Sequence, residues 1–194
     1  MDVKTYSTVT DLCARFAGRL EDDVLRSVRE DYFGGEPAQA EAALLLTMAH
    51  ENIGITQEEH DLIRSTLDDP HSPDLAAVRI IAAVPPVPYR FSPHGPADAP
   101  DPSRADRVLA DEAARYGGRV LRRAWREPLA GAPDVAKWTY VLEVSDADDV
   151  LGVFAGLSGR LWVTLREKWP LEVVGNSLSP YQAAASIAPR IWAA

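Results

Sequence analysis

The chain has 194 residues, 46% of them hydrophobic and 25% charged, which fits a folded globular protein and excludes a disordered or fibrous one. No apolar run approaches the about 18 residues of a membrane span, and the single cysteine, Cys13, excludes a disulfide framework and a cysteine-based metal site. The net charge of −9 disfavours nonspecific nucleic-acid binding and favours basic partners.

The start, MDVKTYSTVTDLCARF, lacks the charged head and apolar stretch of a signal peptide, so the cytoplasm is the expected location. The abundance of Ala, Arg, Asp and Pro suits a high-GC bacterial genome. The charge is uneven. Residues 1–70 hold six Lys/Arg against fifteen Asp/Glu, and residues 71–194 hold fourteen of each. This partition predicts an acidic helical module over 1–70, a first strand plus a Pro-rich connection over 71–102, and an α+β sheet domain over 103–194.

Thr10 and Asp11 offer caps before Leu12, Cys13, Phe16 and Leu20, which recur at helical spacing, and Gly18 ends that run. Asp22 and Asp23 then precede Val24, Leu25, Val28 and Tyr32, with Gly34-Gly35 as the stop. Pro37 suits the first turn of a third helix, whose packing face is expected at Ala42, Leu45, Leu46 and Ala49. Thr56-Gln57-Glu58-Glu59 is a capping box before Leu62, Ile63 and Leu67.

The apolar run 75–84 fits a strand or a helix, and its Val78, Ile80 and Ile81 with the following prolines favour a strand over 78–84. From Pro85 to Pro102 seven prolines predict an extended connection wrapped over the surface. Tyr89, Arg90, Phe91 and His94 within it are candidates for a ligand-facing loop. Ser103 is the expected N-cap of a helix through Val108, Leu109, Glu112, Ala113 and Tyr116, closed by Gly117-Gly118.

Strands are expected at 119–127 and 136–144, the second with Ala136, Trp138, Tyr140, Leu142 and Val144 on one face. Asp146 and Asp148 cap a short helix with Val150, Leu151, Phe154 and Leu157, ended by Gly156 and Gly159. RLWVTLREKW, 160–169, alternates as a strand does: Leu161, Val163 and Leu165 on a buried face, and Arg160, Trp162, Thr164, Arg166 and Lys168 on the other. Leu171–Val174 forms one further short strand, and Ser179-Pro180 starts a last helix with Tyr181, Ala184 and Ile187 inward.

The order from 78 to 167 is then β-α-β-β-α-β. It predicts an α+β fold with a ferredoxin-like, split βαβ antiparallel sheet, both helices on one face and the other face open, with a C-terminal strand and helix appended.

Catalytic signatures are missing. There is no G-x-S-x-G elbow, P-loop or G-x-G-x-x-G fingerprint, and His50-Glu51 does not begin a zinc-protease motif because Gly54 stands where the second histidine belongs. His50 and His60 would ligate a metal only if two helices converged. Asp146, Asp148 and Asp149 are the densest acid cluster of the second part, and helix capping accounts for them without a cation. Cys13, among apolar neighbours, is expected to be a small buried hydrophobe. No catalytic residue, cofactor or metal is therefore expected, and the chain is read as a non-enzyme.

The strongest remaining constellation is basic and aromatic. Arg160, Trp162, Arg166 and Lys168 share a face, and Arg119, Arg123 and Trp125, or else Arg122 and Arg126, would extend it from a neighbouring strand. Such a face is a protein-binding hot spot, a platform for single-stranded nucleic acid, or the seat of the acidic module of the same chain. The best-supported function is an interaction protein, in one version an acidic immunity or antitoxin-like inhibitor of a basic protein. The alternatives are a small-molecule or enzymatic site near the Pro-rich segment, and weak binding of single-stranded nucleic acid. Oligomeric state is not encoded in any of these patterns.

Overall fold

Capping signals in the first part of the chain translate almost directly into helices. The structure is a computed structural model that describes residues 3–145 and 149–194, and its chain divides into two compact units, Met1–Val87 and Pro88–Ala194. The first unit contains α1 (Val3–Phe16), α2 (Asp22–Gly34), α3 (Pro37–His50), α4 (Gln57–Thr66) and the short α5 (Pro73–Ala77). Gly35 closes α2 in the left-handed conformation at φ 81°, as a residue without Cβ does at little cost. At α4 the Thr56 hydroxyl accepts from the Glu59 amide at 3.2 Å while the Glu59 carboxylate accepts from the Thr56 amide at 2.8 Å.

Three expectations fail here. Thr10 and Asp11 lie inside α1, which begins a full turn or more earlier, and the Thr10 hydroxyl donates back to the Tyr6 carbonyl at 2.9 Å. The buried side of α3 is Ala40, Leu44, Leu45 and Met48, whereas Ala42, Leu46 and Ala49 are exposed. That helix is apolar nearly all round, so spacing does not single out the inward face. Residues 78–84 form no strand. Their β-pairing is a single bridge, Ile55 to Ile80, with the Ile55 amide donating to the Arg79 carbonyl and the Ile81 amide to the Ile55 carbonyl. Pro85 and Pro86 have no amide to extend such a ladder.

The second unit is built on a mixed sheet: β1 (Tyr89–Ser92), β2 (Gly118–Pro128), β3 (Lys137–Val144), β4 (Leu171–Val174) and β5 (Arg190–Ala193). Its helices are α6 (Ser103–Ala113), α7 (Val150–Leu165) and α8 (Pro180–Ala185). The sheet order is β1-β2-β3-β4, antiparallel except for the parallel pair β3–β4 that α7 connects. β3 occupies one edge of β2 along Gly118–Arg126; the other edge takes β5 at Val120–Arg122 and β1 at Trp125–Pro128. Helices and strands alternate in the expected order, but β1 starts at 89 and pairs directly with β2. The sheet is therefore mixed and α+β, without the split βαβ arrangement.

α6 and α7 cover one face through Ala105, Leu109, Leu121, Tyr140, Leu142, Phe154, Leu157, Leu161 and Val173. The other face is not open. α8 lies on it, burying Tyr181, Gln182 and Ala185 over Arg126, Thr139 and Glu172. Ile187, expected inward, is exposed, and the tail at 190–193 is a sheet strand.

The largest correction falls on 160–169. Through Leu165 this segment is the end of α7, and its buried residues Val150, Phe154, Leu157 and Leu161 continue at helical spacing. Leu161, Val163 and Leu165 also satisfy strand alternation, which is why the short window misled. Gly156 does not stop the helix. A Cβ there would lie 2.6 Å from the Tyr116 hydroxyl, so the glycine lets the helix approach that ring. α7 ends instead at Arg166, in the left-handed conformation at φ 58°.

Candidate functional site

As a helix, the end of α7 distributes its residues differently from a strand. Arg160 and Trp162 point about 200° apart around the axis. The Arg160 Nε donates to Glu112 at 2.9 Å, which ties it to α6. Trp162 faces outward, 46% exposed, beside Val163 at 61%. Arg166 follows one turn later, its amide donating to the Trp162 carbonyl at 2.9 Å, and Arg166 and Lys168 are both exposed. Trp162, Arg166 and Lys168 are each exposed, with the exposed Glu167 between the two cations, while Arg160 pairs with Glu112.

Arg123 and Trp125 do not join them. On β2 both side chains share the α6/α7 face with their cross-strand neighbours Tyr140 and Trp138. The Arg123 guanidinium pairs with Asp106 and stacks over the Trp138 ring at 4.6 Å. Asp106 also accepts from the Tyr140 hydroxyl at 2.8 Å. Burial pushes the Asp106 carboxyl up, and the Tyr140 hydrogen bond and Arg123 oppose that shift. Burial followed by the Asp106 charge pushes the Tyr140 phenol up, so this phenol stays protonated as a donor. Trp125 is buried edge-to-face against Trp138, centroids 5.2 Å apart. This cluster is wall, not surface.

The Pro-rich segment explains part of that wall. Gly95 sits where a Cβ would lie 2.9 Å from Trp138 and 3.2 Å from Trp125, so the loop lies directly on both indoles. The Trp138 Nε1 donates to the Pro100 carbonyl at 2.8 Å. Ser103 is the first residue of α6 rather than its cap. Its hydroxyl and amide donate to Asp101 at 2.6 and 3.0 Å, holding that carboxylate below its usual range.

The four ligand-loop candidates diverge. Tyr89 and Phe91 are buried against Tyr181 of α8, with centroids 5.9 and 5.2 Å apart, whereas Arg90 faces the other way and pairs with Glu127. His94 is exposed, and its carbonyl accepts from the Ser92 hydroxyl. Beneath α8 lies a buried polar group that the sequence does not signal. Arg126 is fully buried, donates to the Tyr181 hydroxyl at 2.9 Å, stacks over Tyr89 at 4.6 Å and approaches Asp134 at 3.6 Å. The Gln182 amide donates to Glu172 at 2.8 Å beside it. Residues 122–126 contain three arginines, and only the register with β3 and the cover from α8 select Arg126 for burial.

In the helical unit the arginines are turned against the unit itself. Residues 1–87 hold seven Lys/Arg against sixteen Asp/Glu, and residues 88–194 hold thirteen of each. Arg15 binds Asp11 and Glu58, both at 2.9 Å. Arg19 pairs with the buried Glu59 and donates to the Gly54 carbonyl at 2.6 Å. Arg26 pairs with Asp23, Arg64 with Asp61, and Arg79 donates to the Asn52 side chain at 3.0 Å. Arg29 is buried against the Cys13 carbonyl, and Cys13 is itself buried. Burial and the neighbouring Asp68 push the Glu41 carboxyl up to about 7.

Asp146 and Asp148 lie outside the described residues, and the Asp149 carboxylate lies over Gly152 in the first turn of α7. His50 stands beside Glu51, and His60 beside Asp61. Among the described residues no three of His, Cys, Asp and Glu gather as metal ligands, and no helix is long and apolar enough to cross a membrane. Phe33 is an exposed apolar residue that none of the sequence patterns above singles out, and Val163, expected on a buried face, is exposed as well. Helical spacing carries the signal for both, because Phe33 lies about a third of a turn to one side of the inward stripe Leu25-Val28-Tyr32 and Val163 lies nearly opposite the stripe Phe154-Leu157-Leu161. No family model matches the chain, and neither a curated protein nor a solved structure matches it.

Proposed function

We propose that this chain is a non-catalytic, cytoplasmic interaction protein whose acidic helical unit binds a basic protein, in the manner of an immunity or antitoxin-like inhibitor. The observation that carries this reading is the engagement of Arg15, Arg19, Arg26, Arg29, Arg64 and Arg79 with groups of their own unit. The acids outnumber them and give that unit a net charge of −9. A surplus of one sign steers an oppositely charged partner and raises the association rate more than it raises affinity. The alternatives lack comparable support: α8 occupies the face a nucleic-acid platform needs, and His94 is remote in orientation from Tyr89 and Phe91.

The test is affinity capture from the producing cell with the wild-type chain and with a quadruple variant, Glu36→Gln, Asp68→Asn, Asp69→Asn and Asp74→Asn. All four positions are exposed, so the fold is expected to persist. The expected result is a basic protein that the wild type retains and the variant largely loses. Equal retention by both, or a captured partner of acidic character, contradicts the reading.

A further inference from the structure

Leading into β1 the chain reads Val-Pro-Pro-Val-Pro-Tyr-Arg over 84–90, and proline rather than hydrogen bonding sets its conformation. Pro85, Pro86 and Pro88 fix φ at about −65°, and a residue that precedes proline is pushed to extended ψ. The second restraint falls on Val84, Pro85 and Val87. The two together favour a left-handed polyproline II segment with about three residues per turn. Residues 84–87 make no hydrogen bond among the described residues, and the first anchor is the Pro88 carbonyl, which accepts from the Leu129 amide at 2.9 Å.

That repeat sorts the side chains onto three edges. Val84, Val87 and Arg90 follow one edge, Pro85 and Pro88 a second, and Pro86 and Tyr89 the third. Tyr89 is buried against Tyr181, so the third edge ends in the core of its unit. Alternation at the start of β1 agrees, sending Tyr89 inward and Arg90 outward. Val84 is 44% exposed, Pro85 and Arg90 are exposed, and Val87 and Pro88 are half-buried. Arg90 is held only by a 3.5 Å pair with Glu127, and a pair between two exposed side chains contributes little. Its guanidinium can therefore turn to another carboxylate.

We propose that Val84–Arg90 is a docking segment for a partner domain whose groove is lined with aromatic rings and ends in carboxylates, a groove of the SH3 type. Each Val-Pro pair fills one aromatic slot, and Arg90 meets the acidic end. A segment already held in the polyproline conformation loses little chain entropy on binding. This contact is separate from the basic partner proposed above, and neither depends on the other.

The test titrates the full chain into an isotope-labelled SH3 domain that takes Pro-x-x-Pro-x-Arg peptides, following the nuclear magnetic resonance signals of its groove. The wild type is expected to shift those signals and to saturate with a Kd below about 1 mM. Pro85→Ala and Arg90→Glu should each weaken binding by at least about tenfold, with circular dichroism unchanged. Pro86→Ala, on the third edge, should stay within about threefold of wild type. Absent shifts, shifts outside the groove, variants at Pro85 or Arg90 that bind like wild type, or a loss from Pro86→Ala as large as that from Pro85→Ala each overturn the proposal.

Discussion

In the helical unit arginine serves mainly to bind neighbouring acids and carbonyls, and acids remain in excess; in the sheet unit arginine is part of the core as well as the surface. Arg126 lies fully buried beneath α8 with Tyr89, Tyr181 and Asp134, in a unit whose charges balance. The helical unit has a buried ionic link too, Arg19 with Glu59, but Glu59 also completes the N-cap of α4. The difference shows that a charge surplus is a property of what arginines are used for, not only of how many there are.

The largest expected effects separate the two units. Arg126→Ala removes the cation from a site that keeps its buried acceptors, and should destabilise the sheet unit by about 3–5 kcal/mol. Glu59→Ala removes the partner of Arg19 and the carboxylate half of the α4 capping box while the Thr56 hydroxyl still caps the helix, and should cost the helical unit about 3 kcal/mol. All five tryptophans, Trp125, Trp138, Trp162, Trp169 and Trp192, lie in the sheet unit. Urea unfolding read by tryptophan fluorescence should therefore shift for Arg126→Ala, while Glu59→Ala shifts the far-ultraviolet circular dichroism transition. If Glu59→Ala moves both signals together, the two units unfold as one and the comparison loses its meaning.

A smaller effect comes from pH. Glu41 has its folded carboxyl raised to about 7 by burial and Asp68, against about 4.3 in an unfolded chain. The folded state therefore holds a proton that the unfolded state releases between those values, and stability falls as pH rises through about 7. Glu41→Gln should stabilise the helical unit at pH 8 relative to pH 5. Because Glu41 is partly exposed, solvent screening limits the gain to about 1 kcal/mol or less. A variant with the same gain at both pH values would show that Glu41 does not titrate in this range.

The same division between units governs what was legible in the sequence. Caps and stops are local, so Pro37, Gly35 and the Thr56–Glu59 box place helices in advance. The faces of α3 were not legible, because Ala and Leu surround that helix. In the sheet unit β2 and β3 were legible from their composition, but their partners were not. Nothing local announces that β5 would share an edge with β1, or that α8 would cover Arg126. The strand expected at 160–169 fails because apolar residues two apart fit both periods, and because Gly156 serves the approach to Tyr116 rather than a stop. Of the candidate surface, Trp162, Arg166 and Lys168 keep their exposure, whereas Arg123 and Trp125 belong to the packed wall with Asp106 and Trp138.

The central claim is that the acidic surplus of the helical unit draws a basic partner. The most direct measurement is the association rate of the wild-type chain with the protein it captures, at about 50 mM and about 300 mM NaCl. Steering by that surplus predicts a fall of at least about tenfold between the two. A rate that changes by less than about twofold would mean that the charge of the helical unit plays no part in the encounter, and would contradict the account.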